Sequence, residues 1–343
     1  MVQRSSFNSL HQPSEIQQHG CFPLCTSLFK AEVVAWNMAT ILVTGASGML
    51  GRHLVPMLEN KGHVVLSPPV KELDLTDSEA TSNFIQSNPI DGVVHCAAYV
   101  AGIASSTTAK HHSFDSNVSM GMNLIRACIQ HNVPTMLNVG SATVYPSEAP
   151  QPLSESSLGQ GAFEGPIEGY ALSKYVVYRA CAMANEQHNV AFKTILPCNL
   201  FGPYDNFSLE TGHMLPAILH RMHQAKEQGN APITIWGDGT AKREFLYAPD
   251  LADFICFSLE NFESLPEVMN VGSGIEVSVN EMHQKMAEII GYSGELNHDL
   301  NKPVGRSRRY LDLHHQTQLG WSPKTPFEEA LAITYAYLRE TLE

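Results

Sequence analysis

No stretch of the 343-residue chain approaches the ~18 consecutive apolar residues that a membrane-crossing helix needs. Positive charge is scarce: 21 lysines and arginines against 34 aspartates and glutamates leave a formal charge of -13. That balance argues against a general binder of nucleic acid or anionic membrane. The seven cysteines, Cys21, Cys25, Cys96, Cys128, Cys181, Cys198 and Cys256, are odd in number and scattered, and Cys21-x-x-x-Cys25 has no second half. They read as small buried residues of a reducing compartment. The adjacent pairs His111-His112 and His314-His315 have no acidic or cysteine partner at ligand spacing, so no metal is expected. Internal repeats and low-complexity tracts are missing too. Residues 1–37 are polar, then broken by proline in Cys21-Phe22-Pro23, and fall short of a signal segment. They are expected to be a disordered or spurious extension ahead of a fold that starts at Met38 or Ala39, with cytoplasmic residence as the default.

What the chain does have is Tyr170 and Lys174, four positions apart, which on a helix puts both side chains on one face. An ammonium beside a phenol favours the phenolate, so the pair is an acid–base device with the phenol expected below its ordinary pKa of about 10. Two other places give the pair its context. Thr40-Ile41-Leu42-Val43-Thr44 is a β-branched run that opens into Gly45-Ala46-Ser47-Gly48-Met49-Leu50-Gly51 and then a helical stretch. A glycine loop between strand and helix suits a pyrophosphate, which meets backbone donors and the positive end of the helix dipole. Farther on, Leu137-Asn138-Val139-Gly140 ends in Ser141-Ala142-Thr143, placing Ser141 at the carboxyl end of a strand, where parallel sheets bind ligands. Its hydroxyl is suited to hydrogen-bonding a substrate oxygen.

Strand and helix patterns alternate from residue 40 to about 196, the signature of an α/β protein with a doubly wound parallel sheet. Past Asn199 the pattern loosens into glycine, proline and aromatic punctuation, with helices near 214–228, 249–260, 278–290 and 326–341 and strands at 233–236 and 268–271. Residues 38–200 are therefore expected to be mainly the dinucleotide-binding domain. Residues 201–343 form mainly a smaller substrate lobe, with some segments returning to the sheet.

These residues resemble the extended short-chain dehydrogenase/reductase superfamily with its Rossmann fold, and within it the GDP-L-fucose synthase family, over about residues 39–342. The likeness rests on Thr44 to Gly51, Ala97 to Ile103, Gln151 to Glu155, Tyr170 to Lys174, Pro197 to Pro203, Asp205-Asn206-Phe207, Gly212 to Pro216, Ile235 to Gly239, Arg243 to Leu246 and Asn301 to Gly305. The resemblance implies NADP(H) on Gly45, Ala46, Ser47, Gly48, Met49, Leu50 and Gly51, with Lys174, Pro197, Asn199, Leu200 and His213 along the nicotinamide half. It implies Ser141, Tyr170 and Lys174 as the reductive site, with His213 and the position of Thr143 moving protons at carbons 3 and 5 of the sugar. Arg221, Trp236, Arg243 and Lys302 match positions that hold a GDP-sugar. A homodimer through the helices near 114–131 and 170–188 is implied as well.

The departures bear on the activity. The family has a cysteine where this chain has Thr143, and a threonine hydroxyl does not ionise usefully near neutrality. A 4-ketoreductase with epimerisation reduced, narrowed to one carbon or absent is therefore expected, with Cys198 as the remaining thiol nearby. Val304 stands where the family often has aspartate. Ser47 stands where an arginine often meets the 2′-phosphate of NADP, but no acid stands at the strand end after Leu66 to bind a free ribose hydroxyl, which favours NADP(H). The alternatives are an NAD-dependent nucleotide-sugar 4-epimerase and, in another class, a non-catalytic dinucleotide sensor.

Overall fold

A computed structural model describes residues 36, 38–100, 109–302 and 304–342. The rest of the expected tail, Cys21 and Cys25 with it, and the stretch Ala101 to Ile103 lie outside the described residues. Six strands form one parallel sheet in the order β2-β1-β3-β4-β5-β9: β1 (Thr40–Thr44), β2 (Val64–Leu66), β3 (Gly92–His95), β4 (Thr135–Val139), β5 (Ala191–Pro197) and β9 (Val268–Val271). The α/β doubly wound parallel sheet read from the sequence is what the chain forms.

Alternation along each strand divides the core into two layers. Ile41 and Val43 of β1 face the helices Met49–Asn60 and Ala248–Glu260, packing with Leu54, Leu58, Leu251 and Phe254. Leu42 faces the opposite way, with Leu124 and Cys128 of the helix Lys110–Gln130 and Val177 and Cys181 of the helix Glu168–Gln187. Gly121 lets those two helices close up, since a Cβ there would lie 2.4 Å from Val177 Cγ2. Trp36 is buried within the first layer, its ring centroid 5.5 Å from that of Phe262, so the packed fold includes at least this residue of the expected tail.

β2 and β3 flank β1 on opposite sides, so the chain reverses its winding there and leaves a crevice beyond the carboxyl ends of β1 and β3. Thr44 and His95 close the two strand ends, with Thr44 Oγ1 2.8 Å from His95 Nδ1, and the Ala97 amide donates to Thr44 Oγ1 at 3.2 Å. β3 stops at His95.

The remaining strands build the second sheet system. β8 (Lys242–Tyr247) pairs with β10 (Glu276–Ser278), β12 (Arg308–Arg309) and β6 (Asn199–Phe201), and β7 (Ile233–Trp236) pairs in parallel with β11 (Leu296–Asp299). Its own core gathers Leu219, Met222, Phe245, Met282, Met286 and Leu331. Glu244, 1% exposed on β8, anchors it to the larger sheet: its carboxylate accepts from the amides of Gly274 at 2.9 Å and Leu311 at 3.0 Å. Asn270 of β9 completes the join. Its backbone N–H donates to Glu155 Oε1 at 2.7 Å, and its side chain donates to the carbonyls of Leu153 and Asp312.

The glycine loop has no room for side chains at its ends. Gly45 has φ +71, and a Cβ on Gly51 would sit 2.4 Å from Ala46 Cα and 2.5 Å from Gly45 O. Gly51→Ala is expected to destabilise the protein by about 1–3 kcal/mol despite the better helix former, and to weaken dinucleotide binding at least about tenfold. Thermal unfolding and a fluorescence titration with NADPH would measure both.

Candidate active site

Four candidate residues meet at the carboxyl ends of β4 and β5. Ser141 leaves β4 in extended conformation and caps the short turn Ala142–Val144, its Oγ accepting from the Thr143 amide at 3.2 Å and from Thr143 Oγ1 at 3.0 Å. The Ser141 side chain neighbours the Tyr170 phenol and favours its ionised form. Lys174, one helical turn beyond Tyr170 and 4% exposed, donates from Nζ to the Val139 carbonyl at 2.9 Å, with Nζ 6.0 Å from the centre of the Tyr170 ring. One hydrogen bond thus ties the tyrosine helix to the strand that delivers Ser141.

The electrostatics differ from the expectation drawn from spacing alone. Burial pushes the Tyr170 phenol up to about 12, with Ser141 only partly offsetting it. Burial also brings Lys174 down to about 8, with Cys96 pulling the other way. The lysine spends its proton contact on a backbone carbonyl, so desolvation outweighs its pull on the phenol. Tyr170 is therefore a protonated acid at neutral pH. The nearby thiols are held toward the protonated form: burial pushes Cys96 to about 12 and raises Cys198 well above its ordinary value, with Glu244 adding to the latter.

The glycine loop follows β1 at the same carboxyl edge of the sheet, with β3 between it and β4. Gly45 packs against the strand end at Ala97, the helix Met49–Asn60 begins after Gly48, and its first turn has no acidic side chain to oppose an anion. A cradle that a Cβ would fill, facing an unopposed helix start at the sheet's switch point, fits a dinucleotide pyrophosphate. Pro197 ends β5, while Asn199 and Leu200 open β6, where Asn199 Nδ2 donates to Glu244 O at 2.9 Å. His213 is exposed at the start of the helix Met214–Glu227, with its pKa lowered by the surrounding protein.

The other candidates divide into groups. Trp236 is 53% exposed at the end of β7, and Lys302 Nζ lies 5.6 Å from its ring centre, so these two come together as an open aromatic and cationic face. Arg243 is engaged through Nη1 with the carbonyls of Lys242 and Arg306, both at 2.7 Å. Arg221 stands exposed on its helix and, among the described residues, makes no hydrogen bond or ion pair with the other candidates. Sequence reasoning passed over Glu164, Arg306 and Arg309, which the fold brings to the Ser141 turn. Their signal was three arginines in the run Arg306-Ser307-Arg308-Arg309 of an otherwise acidic chain.

A serine, tyrosine and lysine converging beside a glycine loop at the end of a parallel sheet define a short-chain dehydrogenase/reductase. Comparison with known proteins narrows the class. Residues 41–272 match the NAD dependent epimerase/dehydratase family. The chain is 39% identical over 297 residues to GDP-L-fucose synthase of Azorhizobium caulinodans, spanning 87% of this chain and 95% of that protein. It is 36% identical to GDP-L-colitose synthase of Yersinia pseudotuberculosis, over 87% of this chain and 97% of the other. Among solved structures, the GDP-mannoheptose C4 reductase MlghC of Campylobacter jejuni with NADP bound superposes with a TM-score of 0.80 at 27% identity, covering 88% of this chain and 99% of that one. The protein belongs to the NAD dependent epimerase/dehydratase family as a GDP-L-fucose synthase-like member.

The lowered Lys174 pKa has a kinetic sign. As pH rises through about 8 the ammonium loses its proton, and with it the charge that favours a developing oxyanion, so kcat/KM for reduction is expected to fall above about pH 8. In Lys174→Arg the charge persists and this descending limb should leave the range below pH 10, whatever the residual rate. A pH series of NADPH oxidation would show it.

Proposed function

We propose that the protein is an NADPH-dependent reductase of the 4-keto group of a GDP-4-keto-6-deoxyhexose, with epimerisation at carbons 3 and 5 reduced, confined to one carbon or absent. The observation that carries the reading is the gathering of Ser141, Tyr170 and Lys174 at the carboxyl end of β4, where Lys174 Nζ donates to Val139 O and Thr143 Oγ1 donates to the serine oxygen. The relatives whose names specify GDP-sugar synthases and a GDP-sugar C4 reductase support the substrate class. NADP(H) is favoured over NAD because β2 ends at Leu66 and runs into Ser67-Pro68-Pro69-Val70, with no acid to take a ribose 2′-hydroxyl.

Residues 38–200 in this reading mainly hold the cofactor and 201–343 mainly the nucleotide-sugar. Gly45 through Gly51 receive the pyrophosphate, Lys174 orients the nicotinamide ribose, and Pro197, Asn199, Leu200 and His213 line the nicotinamide half. Once bound there, NADPH supplies the hydride that reduces the ketone. Ser141 Oγ holds the ketone oxygen, Tyr170 gives its phenolic proton to that oxygen as the alkoxide forms, and the Lys174 ammonium stabilises the negative charge left on the phenol. Trp236 and Lys302 provide a flat face and a charge for the base and phosphates, with Arg221 and Arg243 as further cations. Self-association through the outward faces of the helices Lys110–Gln130 and Glu168–Gln187 belongs to the same reading.

Epimerisation needs proton transfer at two carbons. His213, an imidazole whose pKa is lowered, is one competent base, and Thr143 is a hydroxyl already committed to Ser141. With one base instead of two, inversion at both carbons loses half its machinery.

Tyr170→Phe is expected to slow NADPH oxidation with GDP-4-keto-6-deoxymannose by about 10²- to 10⁴-fold while NADPH affinity stays nearly constant. Stopped-flow absorbance and a binding titration separate the two effects, and an undiminished rate would remove the assigned acid. When turnover is run in deuterated water, product NMR should find deuterium at no more than one of carbons 3 and 5. Full labelling at both would show that Thr143 does not limit epimerisation.

A further inference from the structure

Arg306 and Arg309 have no part in the site as the sequence foretold it. Both reach the carbonyls that follow Ser141: Arg309 Nη2 donates to Ala142 O at 3.0 Å and Arg306 Nη1 donates to Pro146 O at 3.2 Å. Arg243 joins them from β8, donating from Nη1 to the Arg306 carbonyl at 2.7 Å. Burial, and then the repulsion of the neighbouring guanidiniums, bring Arg309 down to about 10 and lower Arg243 as well. The carboxylate set among them is Glu164, whose Oε2 lies 3.3 Å from Arg306 Nε and 3.9 Å from Arg309 Nη1.

Three cations against one anion is an unbalanced group to bury. It is also incomplete. Arg306 Nη2, Arg306 Nε and Arg309 Nε are shielded from solvent and have no hydrogen-bond partner among the described residues. Leaving such donors unmet is costly, and a phosphate offers the paired oxygens that a planar guanidinium fork accommodates. Glu164 alone cannot satisfy both forks at these distances.

We propose that Arg306 and Arg309, beside the Arg243 already read as a nucleotide-sugar contact, bind the phosphate that adjoins the sugar in a nucleoside diphosphate sugar, with Glu164 as the built-in counter-charge that positions the two guanidiniums. The proposal rests on the nucleotide-sugar part of the functional reading and not on the identity of the base. The location gives the site a specificity role. Arg309 holds the carbonyl of the residue after Ser141, and Glu164 lies in the segment leading into the Tyr170 helix at Glu168. Phosphate held there fixes the sugar relative to both the serine and its acid. Because Glu164 competes with phosphate for the same guanidiniums, substitutions at 164 and 306 should act with opposite sign.

Calorimetric titrations of the full chain with GDP and GMP, and with UDP and UMP in parallel, test this. The diphosphates should bind more tightly than their monophosphates. Arg306→Gln should weaken diphosphate binding by about 10- to 100-fold with under about threefold effect on the monophosphates, Arg306→Lys should fall between, and Glu164→Gln should tighten diphosphate binding. NADPH affinity and Tm should hold. Absence of a diphosphate preference in the natural protein overturns the proposal. So does equal weakening of every nucleotide by Arg306→Lys and Glu164→Gln with a fall in Tm, because the cluster is then only a structural clamp. An Arg306 effect that persists in a protein preferring uridine to guanosine nucleotides would sink the GDP reading and leave this site standing.

Discussion

The Lys174 ammonium, held 2.9 Å from the Val139 carbonyl, is the contact on which the arrangement of the site depends. Val139 is the last residue of β4, and Ser141 leaves the strand two residues later. A helix carrying both Tyr170 and Lys174 is thereby fixed in height and rotation against that strand, and the phenol reaches the serine as a consequence. Burying an ammonium with one carbonyl partner is unfavourable, which is why its pKa falls to about 8. The packing of the helices Lys110–Gln130 and Glu168–Gln187 against the sheet must offset that cost, and the closeness allowed by Gly121 helps them do so.

A second constraint brings the C-terminal segment to the same place. Glu244 is buried with its two oxygens on the amides of Gly274 and Leu311, and Gly272 is small because a Cβ there would meet Glu244 Oε1 at 2.1 Å. Leu153 bridges Leu311, with its amide donating to Tyr310 O at 2.7 Å and its carbonyl accepting from the Asp312 amide at 2.9 Å. Residues 306–309 are carried by this stitching to the turn after Ser141. Sites of this kind form between lobes because each lobe alone leaves polar groups unmet, and joining them meets some and concentrates the rest at the ligand.

The legible parts of the chain were those where local pattern and final environment agree. β1, the glycine loop and the tyrosine helix each carry their whole signal in a dozen residues, and the helices of the second lobe have strong apolar periodicity. β6, β8, β10, β11 and β12 were not seen. Lys242-Arg243-Glu244 and Leu296-Asn297-His298-Asp299 read as polar loop because the partners that satisfy their side chains lie far away in sequence. Glu164, Arg306 and Arg309 were missed for the same reason: 142 residues of chain separate Glu164 from the first arginine, and only the fold makes them neighbours. The sign of the Tyr170 shift was also beyond spacing. Four residues on a helix place an ammonium on the same face as a phenol, but they do not say how much water is excluded or which acceptor the ammonium prefers.

Exclusion of water decides the chemistry more than the choice of groups does. Desolvation keeps each titratable group in its neutral form, so it raises phenols and thiols and lowers imidazoles and ammoniums. Tyr170, Cys96 and Cys198 are all shifted toward the protonated state, while Lys174 is shifted toward the free amine. A reduction requires a neutral acid beside the ketone oxygen, and such an environment favours one. Two-carbon epimerisation requires bases, and the environment opposes any base that must become an anion. A cysteine in place of Thr143 would need its own source of positive charge to reach a thiolate. A threonine there makes no such demand and instead donates to Ser141.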